Sequence, residues 1–280
     1  MVFLQLAILS HCLADFIFQS NEIVQLRKSS NLKKCLKGNI LHAMIVFIVL
    51  FVFLIIAYKF KIALLYSLII GIFHFIIDIT KNLLSLKIKS NHNRLIYCEK
   101  KSFLYIILTP LYHWINSLIF VTDQILHIAI IFFIWTQFVT ENGGYIVSYN
   151  YININFTVNI LNYLIIYFYI CFGGRYLINV VISELYLQPY KNKASSGQII
   201  SPLEKTSASD YIGIFERFII ITLVINGAYQ AIAFIFTAKS IARFRELEEK
   251  YFAQYYLVGT LFSTSLGILG GILLKYVMSK

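Results

Sequence analysis

Mostly apolar stretches of about 20 residues, the length a helix needs to cross the hydrocarbon of a bilayer, recur along this chain. They fall near residues 2–20, 41–58, 62–79, 119–138, 158–178, 211–237 and 254–277. With 59% of its 280 residues apolar and only 13% charged, no soluble core of this size would hide so much apolar surface. The sequence therefore predicts an all-α, polytopic transmembrane helical bundle of about seven spans. Segment 103–118 would join the span at 119 in one run of 36 residues without a turn, and it carries Pro110, His113 and Asn116. It reads as an interfacial or re-entrant piece. The first span starts at Val2 with no basic stretch before it and no small-residue cleavage site, so a retained helix is expected rather than a signal peptide.

The charge balance is 24 Lys+Arg against 13 Asp+Glu, a formal +11. The basic residues gather between spans, which points to anionic lipid and not to nucleic acid. Segment 25–39 holds Arg27, Lys28, Lys33, Lys34 and Lys37, and segment 80–101 holds Lys81, Lys87, Lys89, Arg94, Lys100 and Lys101, whereas 139–157 holds none. By the positive-inside rule the first two loops are cytoplasmic and the third is outside, with the N-terminus outside. Seven spans then put 238–253 outside, although it contains Lys239, Arg243, Arg245 and Lys250 beside three glutamates. Either the rule fails there or a C-terminal span is miscounted. The predicted organisation is a four-helix transmembrane domain over 1–138, an extracytoplasmic loop at 139–157 and a three-helix region over 158–280.

The ionisable residues inside the spans carry the functional signal. His11 and Asp15, His74 and Asp78, and Asp123 and His127 are each four residues apart, which puts each pair on one helix face. His42 opens the second span. Measured from the cytoplasmic end of each span, at 1.5 Å per residue, all seven lie within about 14 Å of the same face. Intramembrane ionisable groups are costly and normally face a protein interior. Four imidazoles and three carboxylates suit a divalent transition metal such as zinc, iron or manganese. The candidate metal ligands are His11, Asp15, His42, His74, Asp78, Asp123 and His127, with Asp15, Asp78 and Asp123 also candidates for catalysis. The four cysteines, Cys12, Cys35, Cys98 and Cys171, form no C-x-x-C pair, so neither a disulfide framework nor a cysteine zinc site is indicated.

These residues resemble an uncharacterised family of prokaryotic membrane proteins, domain of unknown function 3307. The matching stretches are His11-Cys-Leu-Ala-Asp15-Phe-Ile-Phe-Gln19, His42-Ala43, His74-Phe-Ile-Ile-Asp78-Ile-Thr-Lys81 and Asp123-Gln-Ile-Leu-His127. In the back half, Gly213-Ile-Phe-Glu216-Arg217, Ala238-Lys239-Ser240-Ile-Ala-Arg243-Phe and Gly259-Thr260-Leu261 are similar too. The stretch 91–117 is longer than the family pattern. The resemblance implies a membrane protein with a His/Asp centre and names no reaction.

Three functions fit the sequence: an intramembrane metal-dependent hydrolase of a lipid-linked or phosphate-bearing substrate, a proton- or metal-ion-coupled transporter, and a non-catalytic scaffold. The first is preferred, because no inverted repeat supports transport. There is no Gly-rich phosphate loop, no H-E-x-x-H and no G-x-S-x-G. In the last span Gly259, Ser263, Gly267 and Gly271 recur every four residues, a face for close helix packing within the chain or in a homodimer. Glu216 and Arg217 are adjacent, so each is expected to have its own partner. Segment 238–253 reads as an interfacial helix presenting Phe244 and Leu247.

Overall fold

The computed structural model describes residues 1–97, 114–142, 154–187 and 207–279. Among the described residues the chain is helical, with no strand. Five helices are long and apolar enough to cross a membrane, and a bent pair at the N-terminus makes up to six. The chain forms two compact units, Met1–Leu161 and Asn162–Lys280. Most of the expected loop at 139–157 and most of segment 103–118 lie outside the described residues.

In the first unit α1 is Val2–Phe16, α2 Asn21–Arg27, α3 Leu32–Ala57, α4 Phe60–Tyr97 and α5 Ile115–Asn142. The α3–α4 connection is only Tyr58 and Lys59, so the two run antiparallel as neighbours. α1 packs against both α3 and α5, and α4 packs against α3 and α5. The central place of α1 shows in its burial, which takes in Gln5, Ser10 and His11 beside Phe3, Leu6 and Leu9. α3 is sided: Cys35, Asn39, His42, Val46, Leu50 and Leu54 point inward, while Leu36, Ile40, Met44, Ile48 and Val52 are exposed. A polar interior under a Leu/Ile/Met exterior is the arrangement that lipid, not water, favours.

One end of the bundle is closed by aromatic rings. Phe3 stacks on Phe138 at 4.5 Å and meets Tyr66 and Tyr58 edge-on at 5.5 and 5.8 Å. The other end carries α2, and here three expectations need correction. The first span does not run on to residue 20: α1 stops at Phe16, and α2 leaves it at 87° after a start capped by the Ser20 side chain. The expected loop at 25–39 shrinks to a few residues, because α3 begins at Leu32 with Asn31 accepting from the Lys33 and Lys34 amides. The expected loop at 80–101 is helical as far as Tyr97. Apolarity ends near Lys81, but a helix does not need apolarity to continue.

α2 lies close against α3 because Gly38 has no side chain. A Cβ there would sit 2.7 Å from the Arg27 amide nitrogen and 2.8 Å from the Leu26 Cβ. Gly38→Ala should therefore push α2 outward and cost about 1–3 kcal/mol by overpacking. Thermal unfolding in detergent measures it, and an unchanged midpoint would contradict the contact.

The boundary between the units falls inside α6 (Ile154–Phe168), which with α7 (Gly174–Ile182) forms one span, Thr157–Leu185, interrupted by a π turn at Tyr169–Gly173. Arg217, buried on α8 (Ser207–Ile225), donates to the Ile170 and Cys171 carbonyls at that turn and to the Ser263 hydroxyl. Glu216 pairs with Lys239 instead. The two adjacent charges thus have separate partners, as their spacing requires. The small-residue face of α10 (Lys250–Met278) is taken up inside the chain: Ser263 holds Arg217, Gly267 meets Ile220 and Gly271 meets Val224, both on α8.

The single span expected at 211–237 is absent. α8 ends in a cap in which the Gly227 amide donates to Val224 and the Ala228 amide to Leu223, with Gly227 in the left-handed region at φ 72°. α9 (Tyr229–Ala242) then turns back. The proof of the reversal is the Glu216–Lys239 pair, 2.7 Å apart. In one continuous helix these residues would be about 34 Å apart. The expected interfacial helix at 238–253 is also absent, because α9 ends at Ala242 and α10 starts at Lys250. A hairpin returns 238–253 to the side from which α8 started, which removes the conflict over its basic residues. In a cysteine-free background, Tyr211→Cys near the start of α8 and Arg245→Cys should therefore be labelled by a membrane-impermeant maleimide from the same side. Labelling from opposite sides would contradict the hairpin.

Candidate functional site

All seven sequence-selected residues converge in the first unit. α1 supplies His11 and Asp15, α3 His42, α4 His74 and Asp78, and α5 Asp123 and His127. Six are buried, with His42 fully so, and the Asp15 side chain keeps 10% exposure. They lie together at the end of the bundle that α2 covers.

Two imidazoles and two carboxylates form the tightest group. His42 Nε2 and His74 Nε2 face each other at 3.1 Å. Asp15 Oδ1 lies 3.2 Å from the first and 3.4 Å from the second. Asp78 Oδ2 lies 3.5 and 3.2 Å from the same two nitrogens. Five of the six separations among these four donor atoms thus fall between 3.1 and 3.5 Å. Ligands on a tetrahedral ion with bonds of about 2.0–2.1 Å are separated by about 3.3–3.4 Å.

His11 and His127 extend the group. The His11 ring stacks on His127 at 4.9 Å, and His127 lies 4.1 Å from the His74 ring, centroid to centroid. His127 Nδ1 is 2.8 Å from the Asp123 backbone carbonyl. A carbonyl only accepts, so Nδ1 carries a proton, and in the neutral ring the lone pair is on Nε2. That nitrogen is buried without a hydrogen-bond partner, as are both ring nitrogens of His11. Beside the three rings is a cavity of about 10 Å³ lined otherwise by Ala7, Ser10 and aliphatic side chains, about the size that admits one water.

Two cations complete the site, and neither was selected from the sequence as a site residue. Arg27 Nη2 lies 2.6 Å from Asp78 Oδ1, and Lys81 Nζ bridges Asp78 Oδ1 at 3.1 Å and Asp123 Oδ2 at 2.8 Å. Asp78 therefore divides its oxygens, Oδ2 to the histidines and Oδ1 to the cations. Asn39 is the hub behind them: its Oδ1 accepts from Arg27 Nε and Asn82 Nδ2, and its Nδ2 donates to the Cys35 carbonyl. Lys81 carried a local signal, three residues after Asp78 on the same helix face. Arg27 carried none, because it reaches Asp78 only through the bend before α2.

Three carboxylates against Arg27 and Lys81 leave one negative charge in a buried space, with four imidazoles to share a proton or a cation. Among the described residues, three overlapping donor groups could hold a metal ion: His11–Asp15–His74, His42–His74–Asp78 and Asp78–Asp123–His127, each with its atoms within 4.8 Å of one another.

Among known families, the profile described as "Protein of unknown function (DUF3307)" matches residues 2–157, which include every residue of this site. The similar motifs of the back half lie outside the matched stretch. No curated protein and no solved structure matches the chain.

Proposed function

We propose that this chain, which belongs to the family described as protein of unknown function (DUF3307), is an integral membrane protein whose His/Asp centre binds a divalent transition metal and hydrolyses a lipid-linked or phosphate-bearing substrate. The observation that carries the metal reading is the set of five separations of 3.1–3.5 Å among His42, His74, Asp15 and Asp78. Their donor chemistry, imidazole and carboxylate, suits zinc, iron or manganese. A bound ion of this kind supplies Lewis acidity and an activated water at neutral pH.

The chain's own residues divide the remaining work. His42, His74 and Asp78 would hold the ion. Asp15, the most exposed of the four, would accept a proton from water. Arg27 orients Asp78 through its outer oxygen, as partners of metal-bound carboxylates do. His127, with its free Nε2, stands ready to pass a proton on. The aromatic closure at the far end leaves the α2 end as the entrance, where Arg27, Lys28, Lys33, Lys34 and Lys37 also lie. By the positive-inside rule that entrance faces the cytoplasm and the N-terminus lies outside. Its charge suits an anionic headgroup.

The test uses the full chain in nanodiscs containing phosphatidic acid and phosphatidylglycerol, stripped with chelator and reloaded with zinc, manganese or iron(II). Headgroup or phosphate release should appear only after reloading and fall at least about 100-fold in Asp15→Asn. Metal bound without release of either product would contradict the hydrolase. Metal uptake by proteoliposomes that Asp15→Asn abolishes would establish the transporter instead.

A further inference from the structure

The donor groups overlap in a way that invites two ions. Asp78 belongs both to the group with His42 and His74 and to the group with Asp123 and His127. A carboxylate shared in this manner is the usual bridge of a two-metal site, whose ions sit about 3.5–4 Å apart. The second group even holds two buried atoms without a hydrogen-bond partner, Asp123 Oδ1, which faces His127 Nδ1 at 3.6 Å, and His127 Nε2.

The cations decide against it. To bridge through both of its oxygens, Asp78 would need Oδ2 for one ion and Oδ1 for the other. Oδ1 is already held by Arg27 at 2.6 Å and Lys81 at 3.1 Å. Lys81 Nζ also takes Asp123 Oδ2 at 2.8 Å, so one ammonium sits between the two carboxylates that would hold the second ion. Gln124 Nε2 donates to the same Asp123 oxygen at 3.3 Å. Building on the metal reading above, we infer that Lys81 stands in for a second metal ion, so that the centre is mononuclear with a built-in ammonium at the second position.

The arrangement has a functional consequence. A lysine delivers one positive charge where a divalent ion would deliver two, and it cannot leave with product or chelator. Its side chain is 23% exposed against 1% for Asp78, so the ammonium lies nearer the surface than the carboxylate it holds. An anionic group arriving at the site would therefore meet Lys81 before it reached the donor atoms of His42, His74 and Asp78.

The experiment counts metal in the full-length protein by mass spectrometry after equilibrium dialysis against zinc or manganese. Wild type should hold one ion per chain, and Lys81→Arg should also hold one. Lys81→Ala and Lys81→Gln should each take a second ion at concentrations where wild type stays at one. With manganese, the second ion should be exchange-coupled to the first by electron paramagnetic resonance, which an ion elsewhere on the surface would not be. Two ions in wild type would overturn the inference and leave the metal reading intact. A count that stays at one in both neutral variants would also overturn the role of Lys81. No ion in wild type would remove the metal reading itself, and this inference with it.

Discussion

Arg27→Met is expected to destabilise the first unit by about 3 kcal/mol, toward the lower end of the cost of breaking a buried ion pair. The reason is specific to Asp78. Its side chain is 1% exposed, and Arg27 makes its shortest contact, at 2.6 Å. Removing the guanidinium leaves Oδ1 with Lys81 alone, and it frees Asn39 Oδ1 of one of its two donors. The loss also unpins α2, which is held to α3 on one side by the Gly38 approach and to α4 through this pair. Denaturant or thermal unfolding in detergent gives the figure. Adding Asp78→Asn to Arg27→Met should recover part of the loss, because the uncompensated charge disappears with the carboxylate. A single variant within about 0.5 kcal/mol of wild type, the range of ordinary surface changes, would mean that the pair is not buried as described.

The second large effect is on metal affinity. His74→Ala should weaken binding at least about 100-fold, more than the about 10–100-fold that loss of an outer hydrogen-bonding partner costs. His74 is the ligand to choose because it belongs to two of the three donor groups and its Nε2 lies within 3.4 Å of His42, Asp15 and Asp78. The readout is linkage: an ion at 100 times its dissociation constant stabilises the folded state by about 2.7 kcal/mol, and this increment should fall to about 0.4 kcal/mol or less in the variant. His127→Gln is the contrast. His127 lies outside the four-atom set, so that variant should keep the increment while losing turnover. Loss of the increment in His127→Gln with the increment kept in His74→Ala would instead place the metal in the Asp78–Asp123–His127 group.

The site was more legible in the sequence than the fold that frames it. The three His–Asp pairs stand four residues apart because the helical period makes them neighbours, and period survives whatever the helix packs against. His42 was found from depth alone, since spans of known length fix how far each residue lies from a membrane face. The cations were less visible. Lys81 sits where hydropathy falls, and a lysine there reads first as the start of a loop, although the helix continues to Tyr97. Arg27 depends on a bend between Phe16 and Asn21 that involves no proline or glycine and is marked only by the Ser20 cap. The break at Gly227 had a signal, the Asn226-Gly227 dipeptide, which the long apolar run around it outweighed. Hydropathy reports what faces lipid. It does not report whether the chain crosses the bilayer or turns back within it.

The central claim is that His42, His74, Asp15 and Asp78 surround one ion. X-ray absorption at the zinc edge of the reconstituted full chain tests this most directly. The expected spectrum has four nitrogen and oxygen neighbours at about 2.0–2.1 Å, two of them with the outer-shell scattering of imidazole. It should lose one imidazole in His42→Ala and another in His74→Ala. A six-oxygen shell, or an imidazole signal that neither substitution changes, would contradict it.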